Sequence, residues 1–125
     1  MAEPTRTVLM VDDDPQILRL MRAMLGPQDV RVLSAPRPSD ALRICAEETV
    51  DLLISDVSMP EMDGNRLAER VLKLYPRVCV LLISGEMNAA PAVKAGPVRF
   101  LKKPFFPAEL IQVLRAMLAD KAERA

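Results

Sequence analysis

The chain of 125 residues contains no histidine and no tryptophan, and aromatic residues make up only 3% of it. Without an imidazole there is no Ser-His-Asp triad, no histidine general base and no histidine-ligated zinc. The scarcity of aromatic rings means that Val, Leu, Ile, Ala and Met must fill the core. Two cysteines, Cys45 and Cys79, form no CxxC pattern, and we expect both to be buried and reduced. These absences leave no room for thiol or zinc chemistry.

An excess of one charge and a long apolar run are also lacking. Lys plus Arg and Asp plus Glu both number 17, so the formal net charge is zero and no nucleic-acid partner is predicted. The longest apolar run, residues 78–83, is far too short to span a membrane, and no signal peptide opens the chain. We therefore expect a single soluble domain located in the cytoplasm, with no membrane partner.

Polar side chains follow four apolar runs, at the point where each run ends. Asp12 and Asp13 follow the first run, Asp56 the second, Ser84 the third and Lys103 the fourth. The four runs are residues 8–11, 52–55, 78–83 and 98–102. If they are strands of one parallel sheet, these side chains meet at its carboxyl edge, where open α/β sheets bind their ligands. Three carboxylates, a hydroxyl and an ammonium in one crevice suit a divalent cation and a phosphoryl group.

Helical patterns separate the strand candidates, and a further strand candidate lies at residues 30–33. We expect the first helix to begin with Asp14 as its cap and Pro15 as its first residue. Charged Arg31 and Arg99 interrupt the second and fifth strands, which is typical of half-exposed edge strands. The pattern predicts an α/β fold, a doubly wound parallel sheet of five strands in the order 2-1-3-4-5 with helices on both faces.

Four motifs in order make the chain resemble a response-regulator receiver domain of two-component signalling, similar to single-domain chemotaxis regulators. The motifs are residues 8–15, 56–64, 84–85 and 100–105, which read VLMVDDDP, DVSMPEMDG, SG and FLKKPF. The resemblance covers about residues 7–118, which implies one receiver domain over residues 1–125. It also implies a flavodoxin-like fold and a switch of protein–protein contacts rather than an enzyme.

The resemblance implies that Asp56 is the phosphoacceptor, which takes a phosphoryl group from the phosphohistidine of a histidine kinase or of a histidine phosphotransfer protein in a phosphorelay. It implies Mg²⁺, with Mn²⁺ as an alternative, bound by Asp12, Asp13, Asp56 and the backbone carbonyl of Ser58. The residue chemistry agrees, since Mg²⁺ prefers oxygen ligands and a carboxylate can form an aspartyl phosphate. The cognate kinase and the output protein stay open.

Other positions follow from the same resemblance. Ser84 and Lys103 would contact the phosphoryl oxygens, and Phe100 would be the aromatic switch residue. The peptide bond before Pro104 would be cis, which X-Pro bonds adopt at modest cost. Ser58 and Glu86 would tune dephosphorylation by admitting or obstructing water.

The stretch from Ser84 to Lys103 is shorter than in most receivers, and the shortage lies between Glu86 and Val93. This stretch contains Pro91, and proline is costly inside a helix. We therefore predict that the fourth helix, between the fourth and fifth strands, is truncated or irregular.

Two other readings stay open. A degenerate pseudo-receiver would bind a protein partner without being phosphorylated, although the complete acidic set speaks against it. Asp12 and Asp14 also form the D-x-D pattern of haloacid-dehalogenase-type phosphatases, but the chain has no room for the cap domain that these enzymes usually carry.

Overall fold

The computed structural model of the chain describes residues 5–85 and 97–124, with side chains described as far as Lys121. The strands in this part are β1 (Arg6–Val11), β2 (Val30–Ala35), β3 (Leu52–Asp56), β4 (Cys79–Ser84) and β5 (Val98–Lys102). The helices are α1 (Pro15–Leu25), α2 (Pro38–Glu47), α3 (Gly64–Leu74) and α4 (Pro107–Arg124). None of these described helices is long and apolar enough to cross a membrane.

All five strands form one parallel sheet in the order β2-β1-β3-β4-β5. This confirms the predicted flavodoxin-like order, with β2 and β5 at the edges. The inner strands β1, β3 and β4 are buried almost throughout, whereas Arg31 and Arg99 are exposed on the edge strands. A continuous apolar run therefore indicates a central strand, because central strands are covered on both faces. A run interrupted by a charged residue indicates an edge strand.

The sheet separates two aliphatic cores, and alternate residues of each inner strand enter opposite cores. Leu9, Leu53 and Leu82 pack under α2 and α3. Met10 and Ile54, one position further along their strands, pack under α1 and α4. Helices therefore cover both faces of the sheet, as predicted. Both cysteines are buried, and neither forms a disulfide within the described residues.

The predicted start of α1 is confirmed. Asp14 caps α1 by accepting a hydrogen bond from the Gln16 backbone N–H at 2.9 Å, and Pro15 is the first helical residue. The α4 helix continues about two turns beyond Leu118, the expected end of the core. Its extra turns contact the body of the fold, because Asp120 pairs with Arg99 of β5.

The predicted shortening of the fourth helix concerns residues 86–96, which lie outside the described residues, as does Glu86. The label α4 therefore denotes the last helix of the chain.

Candidate functional site

The ends of four neighbouring strands bring the predicted site residues to one edge of the sheet. Asp12 and Asp13 follow β1, Asp56 ends β3, Ser84 ends β4 and Lys103 follows β5. The residues paired at this edge are Val11 with Ser55, Asp56 with Ile83, and Ser84 with Lys102. In-register parallel pairing therefore assembles the crevice from parts that are far apart in the sequence.

Three carboxylates form the acidic part of the crevice. One oxygen from each of Asp12, Asp13 and Asp56 lies within 4.8 Å of the others. Asp12 is only 5% exposed, the Asp56 side chain 14% exposed, and Asp13 is open to solvent. Burial raises the pKa of Asp12 above its usual value, while the Asp14 backbone N–H, which donates to Asp12 Oδ1 at 2.9 Å, opposes this shift. The charges of Asp56 and Asp13 raise the Asp12 pKa further, whereas the charge of Lys103 lowers it.

Lys103 supplies the positive charge opposite this cluster. Its Nζ lies 3.5 Å from Asp56 Oδ2, and about a third of its side chain is exposed. The backbone N–H of Lys103 donates to the Ser84 carbonyl at 2.8 Å, which fixes the start of the segment after β5. The peptide bond between Lys103 and Pro104 is cis. The ammonium therefore offsets part of the repulsion among the carboxylates.

Ser84 and Phe100, the two predicted switch residues, lie on neighbouring strands. Ser84 is buried and directly follows Ile83, the residue paired with Asp56. Phe100 is paired with Leu82 and packs, half-buried, against the core under α2 and α3. Their role in a switch on phosphorylation stays a prediction.

The loop between β3 and α3 borders the crevice on the other side. Ser58 is exposed in this loop, and together with Asp13, Asp63 and Asn65 it lines a cleft of about 470 Å³. Ser58 and Asp13 therefore border the same cleft, and binding of a cation by the Ser58 carbonyl stays a prediction.

Two features of this loop were missed in the sequence. Asp63 caps α3 by accepting a hydrogen bond from the Arg66 backbone N–H at 2.9 Å. Gly64 begins α3 so close to β3 that a Cβ there would lie 2.4 Å from the carbonyl oxygen of Asp56. The available sequence signal for this N-cap was the acidic Asp63 directly before Gly64. The close approach of Gly64 depends on the tertiary fold and has no local signal.

An apolar cavity of about 270 Å³ adjoins the acidic cluster. Asp12, Asp56 and Lys103 line it together with side chains of α1 and of the segment after β5, such as Leu20 and Phe105. Leu20 is 53% exposed, so this face of α1 is not purely a core face. Met21 of the same helix is buried.

The donor set fits a hard divalent cation. Octahedral Mg²⁺ holds oxygen ligands at about 2.1 Å, so its ligand atoms lie about 3–4 Å apart. Three carboxylates with oxygens within 4.8 Å of one another approach this spacing. Asp12, Asp13 and Asp56 would therefore hold the ion, and the carbonyl of Ser58 is the candidate further ligand.

The raised pKa of Asp12 predicts a pH-dependent gain in stability for Asp12→Asn in Mg²⁺-free buffer. Between the ordinary pKa of 3.8 and the raised value, the folded protein binds more protons than the unfolded chain, so stability falls as pH rises through this window. Removing the charge should raise the melting temperature by a few degrees at neutral pH, and the gain should shrink as pH falls toward 3.8. Differential scanning calorimetry measures both values.

Asp29→Asn is the matched control, because Asp29 is exposed in the turn before β2 and its replacement removes the same charge. It should leave the melting temperature nearly unchanged. A loss of stability for Asp12→Asn at neutral pH would contradict the prediction.

A flavodoxin-like sheet in the order 2-1-3-4-5, with an acidic cluster and a lysine at its carboxyl edge, is the class of fold expected of a receiver domain. The family model described as the response regulator receiver domain matches residues 8–115. The chain therefore belongs to the response regulator receiver domain family of two-component systems.

Individual relatives agree with this assignment. The chain is 37% identical over 113 residues to an uncharacterized 14.6 kDa protein in the sodA1 3′ region of Leptolyngbya boryana, with 86% of each chain covered. It is 35% identical over 118 residues to the transcriptional regulatory protein GlrR of Escherichia coli (strain K12), which covers 92% of this chain but only 27% of GlrR. The signal receiver domain of an HD domain-containing protein from Pseudomonas fluorescens Pf-5 superimposes with a TM-score of 0.91 at 30% identity, covering 99% of this chain and 94% of that one.

Proposed function

We propose that this chain is a cytoplasmic phosphoacceptor domain in which Asp56 takes a phosphoryl group from a histidine kinase or a histidine phosphotransfer protein. The groups around Asp56 support this proposal most directly. Its carboxylate lies 3.5 Å from the Lys103 ammonium and belongs to the three-carboxylate cluster. Mg²⁺, or Mn²⁺ in its place, would be the cofactor.

The transfer would exchange one bond to phosphorus for another. A carboxylate oxygen of Asp56 forms the new bond while the phosphorus–nitrogen bond of the donor phosphohistidine breaks, and the nitrogen keeps the electron pair. Little covalent help is needed, because catalysis of such transfers rests on positioning and on neutralising charge. Lys103 places a positive charge beside the transferred group, and the Ser84 hydroxyl donates a hydrogen bond to it. The bound cation would neutralise further charge on the phosphoryl oxygens.

The signal would leave the domain through protein contacts. We propose that Ser84 and Phe100 respond together to the phosphoryl group, as a two-state packing change beside the core under α2 and α3. Ser58, which is exposed at the cleft, and Glu86 would control how readily water removes the group. The partner that recognises the switched state would be a protein and not a nucleic acid.

Labelling with acetyl phosphate tests this function directly. Incubation with acetyl phosphate and Mg²⁺ should add the mass of one phosphoryl group to the protein, and peptide mapping should place it on Asp56. Excess chelator is the control and should prevent the labelling.

The other readings give different outcomes. A folded protein that takes up no label would overturn the proposal in favour of a pseudo-receiver, and label on Asp12 would favour a phosphatase. Asp14 would be the acid/base of that phosphatase, but its carboxylate accepts the hydrogen bond that caps α1.

A further inference from the structure

A carboxylate ties the loop between β3 and α3 to the amino end of α2. Glu61 Oε1 accepts a hydrogen bond from the Ser39 backbone N–H at 2.8 Å, and Oε2 accepts one from the Ser39 hydroxyl at 3.3 Å. The two residues are 22 positions apart, so the contact joins elements that the chain does not hold together locally.

The first turn of α2 is suited to receive this carboxylate. The helix begins at Pro38, and within the described residues Arg37 at the cap position makes no side-chain cap hydrogen bond. Proline has no N–H, so Ser39 carries the first backbone donor of the helix. Such donors lack partners inside the helix, and the positive end of the helix dipole favours an anion. Glu61 therefore caps α2 from a different part of the chain.

The same carboxylate holds the middle of a loop whose ends are fixed by the backbone. At one end the Val57 N–H donates to the Ile83 carbonyl at 2.9 Å. The Gly64 N–H closes the loop by donating to the Val57 carbonyl at 2.8 Å. Between these bonds lie exposed Ser58 and, three positions later, Glu61. A tether at Glu61 therefore restricts how the Ser58 carbonyl can turn relative to the acidic cluster.

We propose that Glu61 is a positioning residue that couples the cation site to order in the first turn of α2. This inference rests on the proposed function, in which the Ser58 carbonyl binds the cation. The Glu61–Ser39 hydrogen bonds favour the loop conformation that presents this carbonyl beside Asp13 and Asp56. Because coupling of binding equilibria is reciprocal, a cation bound there strengthens the hydrogen bonds to Ser39 by the same factor.

Calorimetric titration with Mg²⁺ tests whether Glu61 strengthens cation binding. Glu61→Ala should weaken Mg²⁺ binding at least about fivefold, the lower end of typical coupling between sites. Glu69→Ala is the matched control, because Glu69 is exposed on α3 and its loss changes the net charge equally. Glu61→Gln keeps an acceptor oxygen and should recover most of the affinity. Circular dichroism verifies that each variant is folded.

Hydrogen exchange at the Ser39 amide tests whether bound Mg²⁺ strengthens the hydrogen bonds between Glu61 and Ser39. If Glu61 had only a structural role, Mg²⁺ would not change this exchange rate. In the wild-type protein, Mg²⁺ should slow exchange of this amide, as measured by nuclear magnetic resonance. In Glu61→Ala the exchange should be faster and should not respond to Mg²⁺.

The outcomes separate this inference from the function on which it rests. Equal Mg²⁺ affinity in Glu61→Ala and Glu69→Ala, or Ser39 exchange that ignores Mg²⁺, would overturn the coupling and leave the proposed function standing. A wild-type protein that binds no Mg²⁺ would overturn the proposed metal site, and the coupling with it.

Discussion

Asp56→Asn should take up no phosphoryl group, either from acetyl phosphate or from a phosphorylated histidine donor. A carboxamide is uncharged and is not nucleophilic enough to attack phosphorus. Asp12 is a poor substitute acceptor, because it is buried and its Oδ1 accepts a hydrogen bond from the Asp14 N–H. Intact-mass measurement after incubation with Mg²⁺ and acetyl phosphate gives the labelled fraction.

Asp14→Asn is the matched control, since it removes the same charge at the residue directly after Asp13 of the acidic cluster. Asparagine caps helices about as well as aspartate does, so α1 should keep its start and the variant its labelling. The two variants Asp56→Asn and Asp14→Asn also distinguish a receiver from a phosphatase with a D-x-D pattern. The phosphatase mechanism requires Asp14 but does not require Asp56. Labelling that survives Asp56→Asn and is lost in Asp14→Asn would contradict the receiver mechanism.

The fold could be predicted from the sequence because its signals are local. Asp14 followed by Pro15 fixes the start of α1, and continuous apolar runs distinguish the inner strands from the interrupted edge strands. Once five parallel strands are placed in this order, the carboxyl edge follows from topology. The juxtaposition of Asp56 and Lys103, 47 positions apart, was predictable for the same reason.

Contacts made by loops and helix ends could not be predicted in this way. Glu61 and Ser39 meet because the tertiary fold brings the first turn of α2 beside the loop after β3, and the contact spans 22 positions of the sequence. The one local hint was Arg37, a poor cap before Pro38, which indicates that a capping acceptor is missing but not which residue supplies it. The length of α4 beyond Leu118 likewise depends on its contact with β5.

Gly64→Ala should impair both stability and phosphorylation, because the space for a side chain at this position is occupied by backbone. An ideal Cβ would lie 2.4 Å from the Asp56 carbonyl oxygen and 3.0 Å from the Val57 Cα. These atoms belong to β3 and its loop and cannot turn aside as a side chain can. Overpacking of this kind costs about 1–3 kcal/mol, which thermal or denaturant unfolding would measure.

The clash is relieved only if α3 moves away from β3 or the backbone of Asp56 shifts, and the second movement displaces the acceptor carboxylate from Lys103. A misplacement of about 1 Å can cost a reaction up to about a hundredfold in rate, so we expect acetyl phosphate to label Gly64→Ala at least about tenfold more slowly. Gly26→Ala is the control, because Gly26 has helical dihedral angles, φ −54° and ψ −42°, that alanine favours, and its Cβ would lie 3.2 Å from the nearest atom, the Arg22 carbonyl oxygen. If the two variants unfold and label alike, the contact between α3 and β3 does not position Asp56.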